Sequence, residues 1–331
     1  MSRTRTEAPE RRQIVERLRA GRRFVLSSHV RPDGDAIGSE LAMACALRAL
    51  GKEVRIVNKD VAPEPFQAFP GVAAIEIADE VSETFDAAII MECGDLARTG
   101  VRGLDRSFVI NIDHHPGNTM YGGINWFDLS AAACGEMVLD LVDDLGVPLS
   151  REIATNVYFA ILTDTGSFHF SNITPRTFDI ARRCVEAGAE PTPVARQIFD
   201  SSTLGRLKLF GAVLHGMTLD ETGRVALLSV DRALTTETGG TYDDTDGLIN
   251  LPLTVKEIQA VAFFKEMADG DFRVSMRSKG DVDTNAIAKQ YGGGGHKNAS
   301  GCSATGSFVE LKDAFTRMLT EAIAKAQGSR Q

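Results

Sequence analysis

The run Ser27-Ser28-His29-Val30-Arg31-Pro32-Asp33-Gly34-Asp35-Ala36 lies between a short apolar stretch, Phe24–Ser27, and a longer one, Ala36–Leu50, that stops at Gly51. The first stretch has the length and composition of a buried strand. The second is long enough for a helix and ends on a residue that suits a helix stop. In open α/β sheets ligands bind beyond the carboxyl ends of strands, so this junction is the expected place for a site. One imidazole and two carboxylates within seven residues supply three ligands suited to manganese or a similar divalent ion. Asp33-Gly34 is also an ordinary turn pair, and Asp35 an ordinary helix N-cap. This run alone therefore leaves both readings open.

Outward from it the pattern repeats. Ile14–Ala20 reads as an amphipathic helix stopped by Gly21, and Val54–Asn58, Asp86–Met91 and Phe108–Ile112 read as strands. The last two are apolar enough to be covered on both faces, and helices follow over Ala131–Leu145 and Arg151–Leu162. Strands alternating with helices indicate an α/β fold on a mainly parallel sheet. Thr174–Phe210 is mostly helical but interrupted by Pro191 and Pro193, which gives a last helix, a break, and a connecting helix carrying Ile198, Leu204 and Leu207. Beyond Gly223 the character changes. Val225–Val230, Ile258–Phe264 and Phe272–Met276 read as strands, Asn285–Tyr291 as a short helix and Phe308–Ala326 as a closing helix. The expected layout is a catalytic domain over 1–190, a helical linker over 191–222 and a smaller α+β domain over 223–331.

Composition narrows the function. The 331 residues are 43% hydrophobic and 24% charged, as in a soluble globular protein. The apolar runs fall far short of the roughly 20 residues a spanning helix needs. The N-terminal arginines are followed by no apolar core, so a secretory signal is not indicated and a cytoplasmic location is expected. Five scattered cysteines contain no C-x-x-C pair and fit neither a zinc site nor a disulfide framework. A formal net charge of −9 argues against a long polyanion-binding surface. A nucleotide ligand should therefore be short, held by metals and a pocket.

Three further stretches carry chemistry. Val109-Ile110-Asn111-Ile112-Asp113-His114-His115-Pro116 again puts an acid and imidazoles at the end of an apolar strand, in a chain with only six histidines. Adjacent side chains at a strand end point in different directions, so one imidazole can bind metal while the other faces substrate, with Asp113 orienting a ring. Leu162-Thr163-Asp164-Thr165-Gly166-Ser167 sets an acid at a helix C-terminus, where the macrodipole disfavours it unless a cation is near. Ile90-Met91-Glu92-Cys93-Gly94-Asp95 closes another strand with two acids. Arg98 is suited equally to contacting phosphate and to capping the fold. His169 is near enough in sequence to Asp164 to reach a pocket or to serve structure; His215 and the single tryptophan, Trp126, read as structural.

In order and context, His29-x3-Asp33-x-Asp35, Asp113-His114-His115 and Asp164-Thr165-Gly166 resemble the DHH phosphoesterases. Gly292-Gly293-Gly294-Gly295-His296-Lys297-Asn298-Ala299-Ser300-Gly301 resembles the signature of the associated DHHA1 domain. The resemblance runs from about residue 14 to residue 326, and the two-domain length is similar to the nanoRNase and pAp-phosphatase type. It implies two divalent cations, usually Mn²⁺. His29 and Asp33 would bind one, Asp35 and His114 the other, and Asp164 and the motif-two acid both. His115 would lie beside the reacting phosphate. Arg277 and His296 would contact phosphate and nucleotide, with the backbone of Gly294 and Gly295 allowing close approach. The chain departs from the family in one place: the motif-two acid, usually aspartate, is Glu92 here, with Asp95 as the rival.

The expected activity is hydrolysis of short oligoribonucleotides to mononucleotides, with 3′-phosphate removal from pAp as a second reaction. Cleavage of cyclic or linear dinucleotides is a rival within the same chemistry, and a non-catalytic nucleotide sensor a rival outside it. The resemblance also points to a homodimer.

Overall fold

The computed structural model describes residues 8–328. The chain divides into two compact units at Ser201/Ser202. The first opens with α1 (Pro9–Ala20), β1 (Arg23–Ser27), α2 (Gly34–Ala49), β2 (Glu53–Asn58) and a two-residue strand β3 (Glu76–Ile77). It continues through β4 (Ala87–Met91), β5 (Val109–Asp113), β6 (Ile124–Phe127), α3 (Cys134–Leu145), α4 (Arg151–Asp164), α5 (Pro175–Glu186) and α6 (Pro191–Phe199).

Its six strands form one sheet in the order β3-β2-β1-β4-β5-β6, every pair parallel. From β1 the chain first builds outward through β2 and β3, then returns to the other side of β1 with β4. The strand order therefore reverses between β1 and β4, the crevice where such sheets place ligands. Alternate residues of the central strands face opposite ways. Phe24, Leu26, Ile89 and Ile110 pack under the helices, while Val25, Ala88 and Ile90 pack under the irregular segment around Val81, Phe85 and Leu104. Helices thus cover one face and loops the other.

α2 is buried almost throughout its length. Two glycines let α4 lie against it. A Cβ on Gly38 would meet the Asn156 carbonyl at 2.6 Å, and one on Gly34 would meet Thr163 at 2.4 Å. This close approach brings the end of α4, and with it Asp164, to the start of α2.

The expected connecting helix is interrupted. α6 ends at Phe199, and a new helix, α7 (Leu204–His215), starts on Thr203, whose hydroxyl accepts from the Arg206 amide. Asp200–Thr203 supply a helix stop and a new cap, which outweighs the apolar spacing of Ile198, Leu204 and Leu207. α6 packs in the first unit, where Gln197 Nε2 donates to the Pro65 carbonyl (3.0 Å) and Val194 is buried.

After α7 the second unit runs through β7 (Thr218–Leu219), β8 (Val225–Val230), α8 (Arg232–Thr238), β9 (Ala260–Ala268) and β10 (Asp271–Ser278). It closes with α9 (Asn285–Gln290), β11 (Gly294–His296), β12 (Ala299–Thr305) and α10 (Phe308–Gly328). The sheet order is β11-β12-β10-β9-β8-β7, antiparallel except for the β8/β9 pair. Phe272, Val274 and Met276 pack against Leu311, Phe315 and Leu319 of α10. On the opposite face Leu228, Val261 and Phe263 pack against Leu209 and Val213 of α7. An α/β unit followed by a smaller α+β unit is the architecture the sequence indicates. Among the described residues no helix is long and apolar enough to cross a membrane.

Candidate active site

Three strand ends and one helix end converge in the first unit. β1 leads into His29, Asp33 and Asp35; β4 leads into Glu92; β5 ends on Asp113 and leads into His114 and His115; α4 ends on Asp164. Asp33, not Asp35, is the N-cap of α2, its Oδ1 accepting from the Ala36 amide (3.0 Å). Asp33 Oδ2 faces His29 Nε2 at 3.8 Å, so one carboxylate serves cap and site together. Asp35 is 1% exposed and needs another explanation. Its oxygens accept from the backbone amides of Cys134 (2.5 Å) and Gly135 (3.0 Å), at the N-terminus of α3, and from the Ser39 hydroxyl (2.9 Å). These donors help to hold the carboxylate in the core, beside His114 Nε2 at 3.6 Å.

Glu92 occupies a left-handed backbone conformation (φ 58°), a region a long side chain rarely adopts. Arg31, Met120, Ser167 and Phe168 are the other non-glycine residues with positive φ among those described, and all lie on loops leaving these strand and helix ends. The Glu92 side chain turns inward, whereas Asp95 Oδ1 caps a short 3-10 turn by accepting from the Ala97 amide (2.8 Å). The structure thus brings Glu92, and not Asp95, to the imidazoles.

The strongest indication of chemistry is the state of His114. Its Nδ1 lies 3.1 Å from the Ala131 carbonyl, which can only accept, so Nδ1 carries the proton. The other nitrogen, Nε2, then presents a lone pair to three carboxylates: Glu92 Oε1 at 3.2 Å, Asp35 Oδ2 at 3.6 Å and Asp164 Oδ2 at 3.6 Å. Acceptors facing acceptors repel unless a proton or a metal ion stands between them. His29 repeats the arrangement, with Nδ1 2.9 Å from the Val30 carbonyl and Nε2 toward Asp33. Glu92 Oε2 is buried without a hydrogen-bond partner. Two three-residue groups, Asp35–His114–Asp164 and Glu92–His114–His115, have ligand atoms within 4.8 Å of one another and could each hold a metal ion.

The acid–base balance reflects the same crowding. Burial, reinforced by the neighbouring Asp35, pushes Asp164 up to about 7 and Glu92 well above the carboxylate range. Burial likewise raises Asp35. Burial alone would lower His114, but Glu92, Asp35 and Asp164 outweigh it and push the ring up to about 10. Without another cation the cluster takes up protons. The donor set of carboxylates and imidazoles suits a divalent ion.

Asp113 is fully buried and behaves differently. Burial would raise it, yet hydrogen bonds from His115 and Asn118 hold it below the usual carboxylate range. Its Oδ1 accepts from the amides of His114 (2.9 Å) and His115 (3.2 Å) and from His115 Nδ1 (3.1 Å). His115 also comes within 3.2 Å of Glu92 Oε1, nearer the cluster than its expected place beside substrate requires, and its side chain is 43% exposed. Arg98 is exposed, and its carbonyl accepts from the Val30 amide (2.8 Å), tying the loops after β1 and β4 together. His169 is exposed, its ring edge toward Phe170. Trp126 is buried on β6, in keeping with a structural role.

In the second unit the glycine run forms a hairpin rather than a loose loop. β11 pairs with β12 so that His296 lies opposite Ala299, and Ala299 lies opposite Arg277 on β10. Directly opposed residues share a face, so Arg277 and His296 flank the small Ala299 in one row, about two strand spacings or roughly 10 Å apart. Gly295 sits at φ 140°, and a Cβ there would lie 2.4 Å from the Ala299 carbonyl. A Cβ on Gly294 would meet open space.

Residues that motif reading missed are the supports: Ser39, the Cys134 and Gly135 amides, the Ala131 carbonyl and Asn118. Ser39, four residues after Asp35 on one helix, was readable from spacing; the others come from distant segments.

A parallel sheet that gathers carboxylates and imidazoles at its strand ends, followed by an α+β unit with a glycine–histidine hairpin, defines a class of metal-centred α/β hydrolases. Residues 23–161 match the DHH family N-terminal domain, and residues 224–325 match the DHHA1 domain. The chain belongs to the DHH family of phosphoesterases. It is 35% identical over 295 residues to the bifunctional oligoribonuclease and PAP phosphatase NrnA of Thermus thermophilus, covering 89% of this chain and 87% of that protein. It is 31% identical to the protein of the same description from Bacillus subtilis, covering 85% and 88%. The crystal structure of an exopolyphosphatase-related protein from Bacteroides fragilis shares the fold, with a TM-score of 0.86, 24% identity, and 99% and 100% of the two chains covered.

Proposed function

We propose that this protein hydrolyses short oligoribonucleotides to mononucleotides and removes the 3′-phosphate of pAp, using two divalent cations, Mn²⁺ in the first instance. The observation that carries the reading is His114 Nε2, its lone pair committed toward three carboxylates by the Nδ1 contact with the Ala131 carbonyl. The relatives described as bifunctional oligoribonuclease and PAP phosphatase supply the substrate class. The net charge of −9 favours short substrates over long ones.

His29 and Asp33 would hold one ion, Asp35 and His114 the other, with Glu92 and Asp164 reaching both. Bound there, divalent ions supply positive charge for the phosphoryl oxygens and make an attacking water more acidic. The chain's own residues do the rest. Asp113 holds His115 by Nδ1, leaving Nε2 free to face the phosphate as charge develops on it. Asp35, fixed by the α3 amides, cannot swing away from the centre. In the second unit Arg277 and His296 offer a phosphate and nucleotide contact, and Gly294 and Gly295 give the ligand access to backbone. Arg98, exposed on the loop after β4, is a further phosphate contact. With two ions in place no side-chain nucleophile would be needed, so direct attack by water is expected.

The test is a panel of pAp, pApA, longer oligoribonucleotides and cyclic dinucleotides with Mn²⁺, run beside Asp164→Asn. Release of AMP from pApA and phosphate from pAp by the wild type alone supports the reading. Preference for a cyclic dinucleotide would replace it with the rival phosphodiesterase, and no turnover of any substrate would leave a sensor.

A further inference from the structure

Asn118 lies in the loop after the His114–His115 pair and belongs to no motif, yet its amide is fully specified. Asn118 Oδ1 accepts from the Met120 backbone amide (2.8 Å) and from Asn111 Nδ2 (2.8 Å). A backbone N–H can only donate, so the oxygen end is fixed and the NH₂ end must point the other way. There it donates to Asp113 Oδ2 at 2.6 Å. The opposite oxygen of the same carboxylate accepts from His115 Nδ1 at 3.1 Å. The loop itself is tied down, Thr119 N and Oγ1 both donating to the Gly94 carbonyl at 2.8 and 3.2 Å. Asn111, 1% exposed on β5, is fixed in turn by Asn125 Oδ1 (3.3 Å), which also accepts from the Gly122 amide (2.8 Å). A chain of amides thus runs from the sheet to one face of Asp113, and the imidazole of His115 hangs from the other.

We propose that Asn118 is a positioning residue for His115, acting through Asp113. It fixes the Oδ2 side of a carboxylate whose Oδ1 is held by the His114 and His115 amides. It so sets where Asp113, with Glu92 Oε1 also 3.2 Å from the same nitrogen, receives the Nδ1–H of the ring and the direction in which Nε2 points. This rests on the reading that His115 faces the reacting phosphate, although its geometric half can be tested without turnover. An alanine at 118 leaves Asp113 Oδ2 without its Asn118 donor, so that the carboxylate is held only through Oδ1, by the His114 and His115 amides and the His115 ring. An aspartate at 118 would set a second anion against Asp113 and remove the donor.

The experiment has two arms. For pApA with Mn²⁺, Asn118→Ala should lower kcat about tenfold, the range of outer-shell partners, with KM and bound Mn²⁺ changed less than twofold. Asn118→Asp should lose more than Asn118→Ala. In a His115→Ala background, Asn118→Ala should have no further effect on kcat. A purely structural role would slow both backgrounds alike, and that result, or a kcat within twofold of wild type, overturns the proposal. In the second arm, ¹⁵N NMR of the metal-free protein should show the His115 ring as the Nδ1–H form in wild type and as a mixture in Asn118→Ala. An Nε2–H ring in the wild type, or a ring unchanged by the substitution, refutes the positioning role even in a protein that turns over nothing. Absence of wild-type turnover together with the expected NMR change would instead refute the functional reading and leave the positioning role standing.

Discussion

The two units use polar residues in opposite ways. In the first, Asp35, Glu92 and Asp113 are at most 1% exposed and are held by backbone amides and imidazoles. In the second, His296 is exposed and Arg277 half-buried, on a face next to a hairpin whose glycines open the backbone. Buried like charges persist only beside a counter-charge or by taking up protons, and the first unit's donor set suits a divalent cation in that role. Exposed groups on a small-residue row bear no such strain and suit a ligand that comes and goes. The difference separates two expected phenotypes, loss of chemistry from the first unit and loss of affinity from the second.

The sharpest way to break this comparison is Glu92→Gln. It removes the carboxylate whose Oε1 lies 3.2 Å from both imidazoles, and kcat for pApA should fall by about three orders of magnitude or more, with less Mn²⁺ retained, because the charge that holds the cations is the charge that drives the reaction. Two tightly bound ions and normal turnover in that variant would eliminate the assignment to Glu92. The next expectation concerns stability. At Mn²⁺ one hundred times its Kd, each site adds about 2.7 kcal/mol to the folded state. Hydrogen exchange should slow in residues 34–49 and 151–164 and stay unchanged in 294–305; equal slowing in both units would erase the distinction. Third, Arg277→Ala or His296→Ala should raise KM for pApA about tenfold while kcat and metal content stay close to wild type, the signature of lost binding rather than lost chemistry.

The smallest effect is expected from Glu40, buried in α2, with Asn58 Nδ2 donating to its Oε2 (2.8 Å). Burial pushes this carboxyl from 4.5 up to about 8. Between those values the unfolded chain releases the proton and the folded chain keeps it, so the native state binds more protons and stability falls as pH rises. The loss begins near pH 4.5 and is complete above about pH 8. Glu40→Gln should flatten that slope, leaving the urea midpoint near wild type at pH 4 and above it at pH 9. A variant that tracks wild type at both would show that Glu40 ionises freely in the fold.

The central strands and helices were legible because their apolar runs are buried on both sides, as β1, β4 and β5 show. β6 was not, since Ile124–Phe127 is a half-buried edge strand without a clean alternation. β3, β7 and β11 are two or three exposed residues, set by pairing rather than by hydrophobic pattern. In the site, His29, Asp33, Asp35, Glu92, His114 and Asp164 could be read because they follow strand or helix ends. What sequence could not decide was the division of labour. The sequence offered Asp35 as the cap and Asp33 as part of a turn, and the 3.0 Å bond from the Ala36 amide gives the cap to Asp33 instead. The break at Asp200–Thr203 was hidden by the apolar spacing on either side of it. Asn118 and the α3 amides act across long sequence separations, which no local pattern records.

The most direct test of the account is to count bound Mn²⁺ per chain after dialysis, in wild type and in Asp164→Asn, alongside AMP release from pApA. Two ions per wild-type chain are expected, with ions and turnover lost together in the variant. A wild-type chain that retains no divalent ion yet cleaves pApA at the same rate in chelator would contradict it.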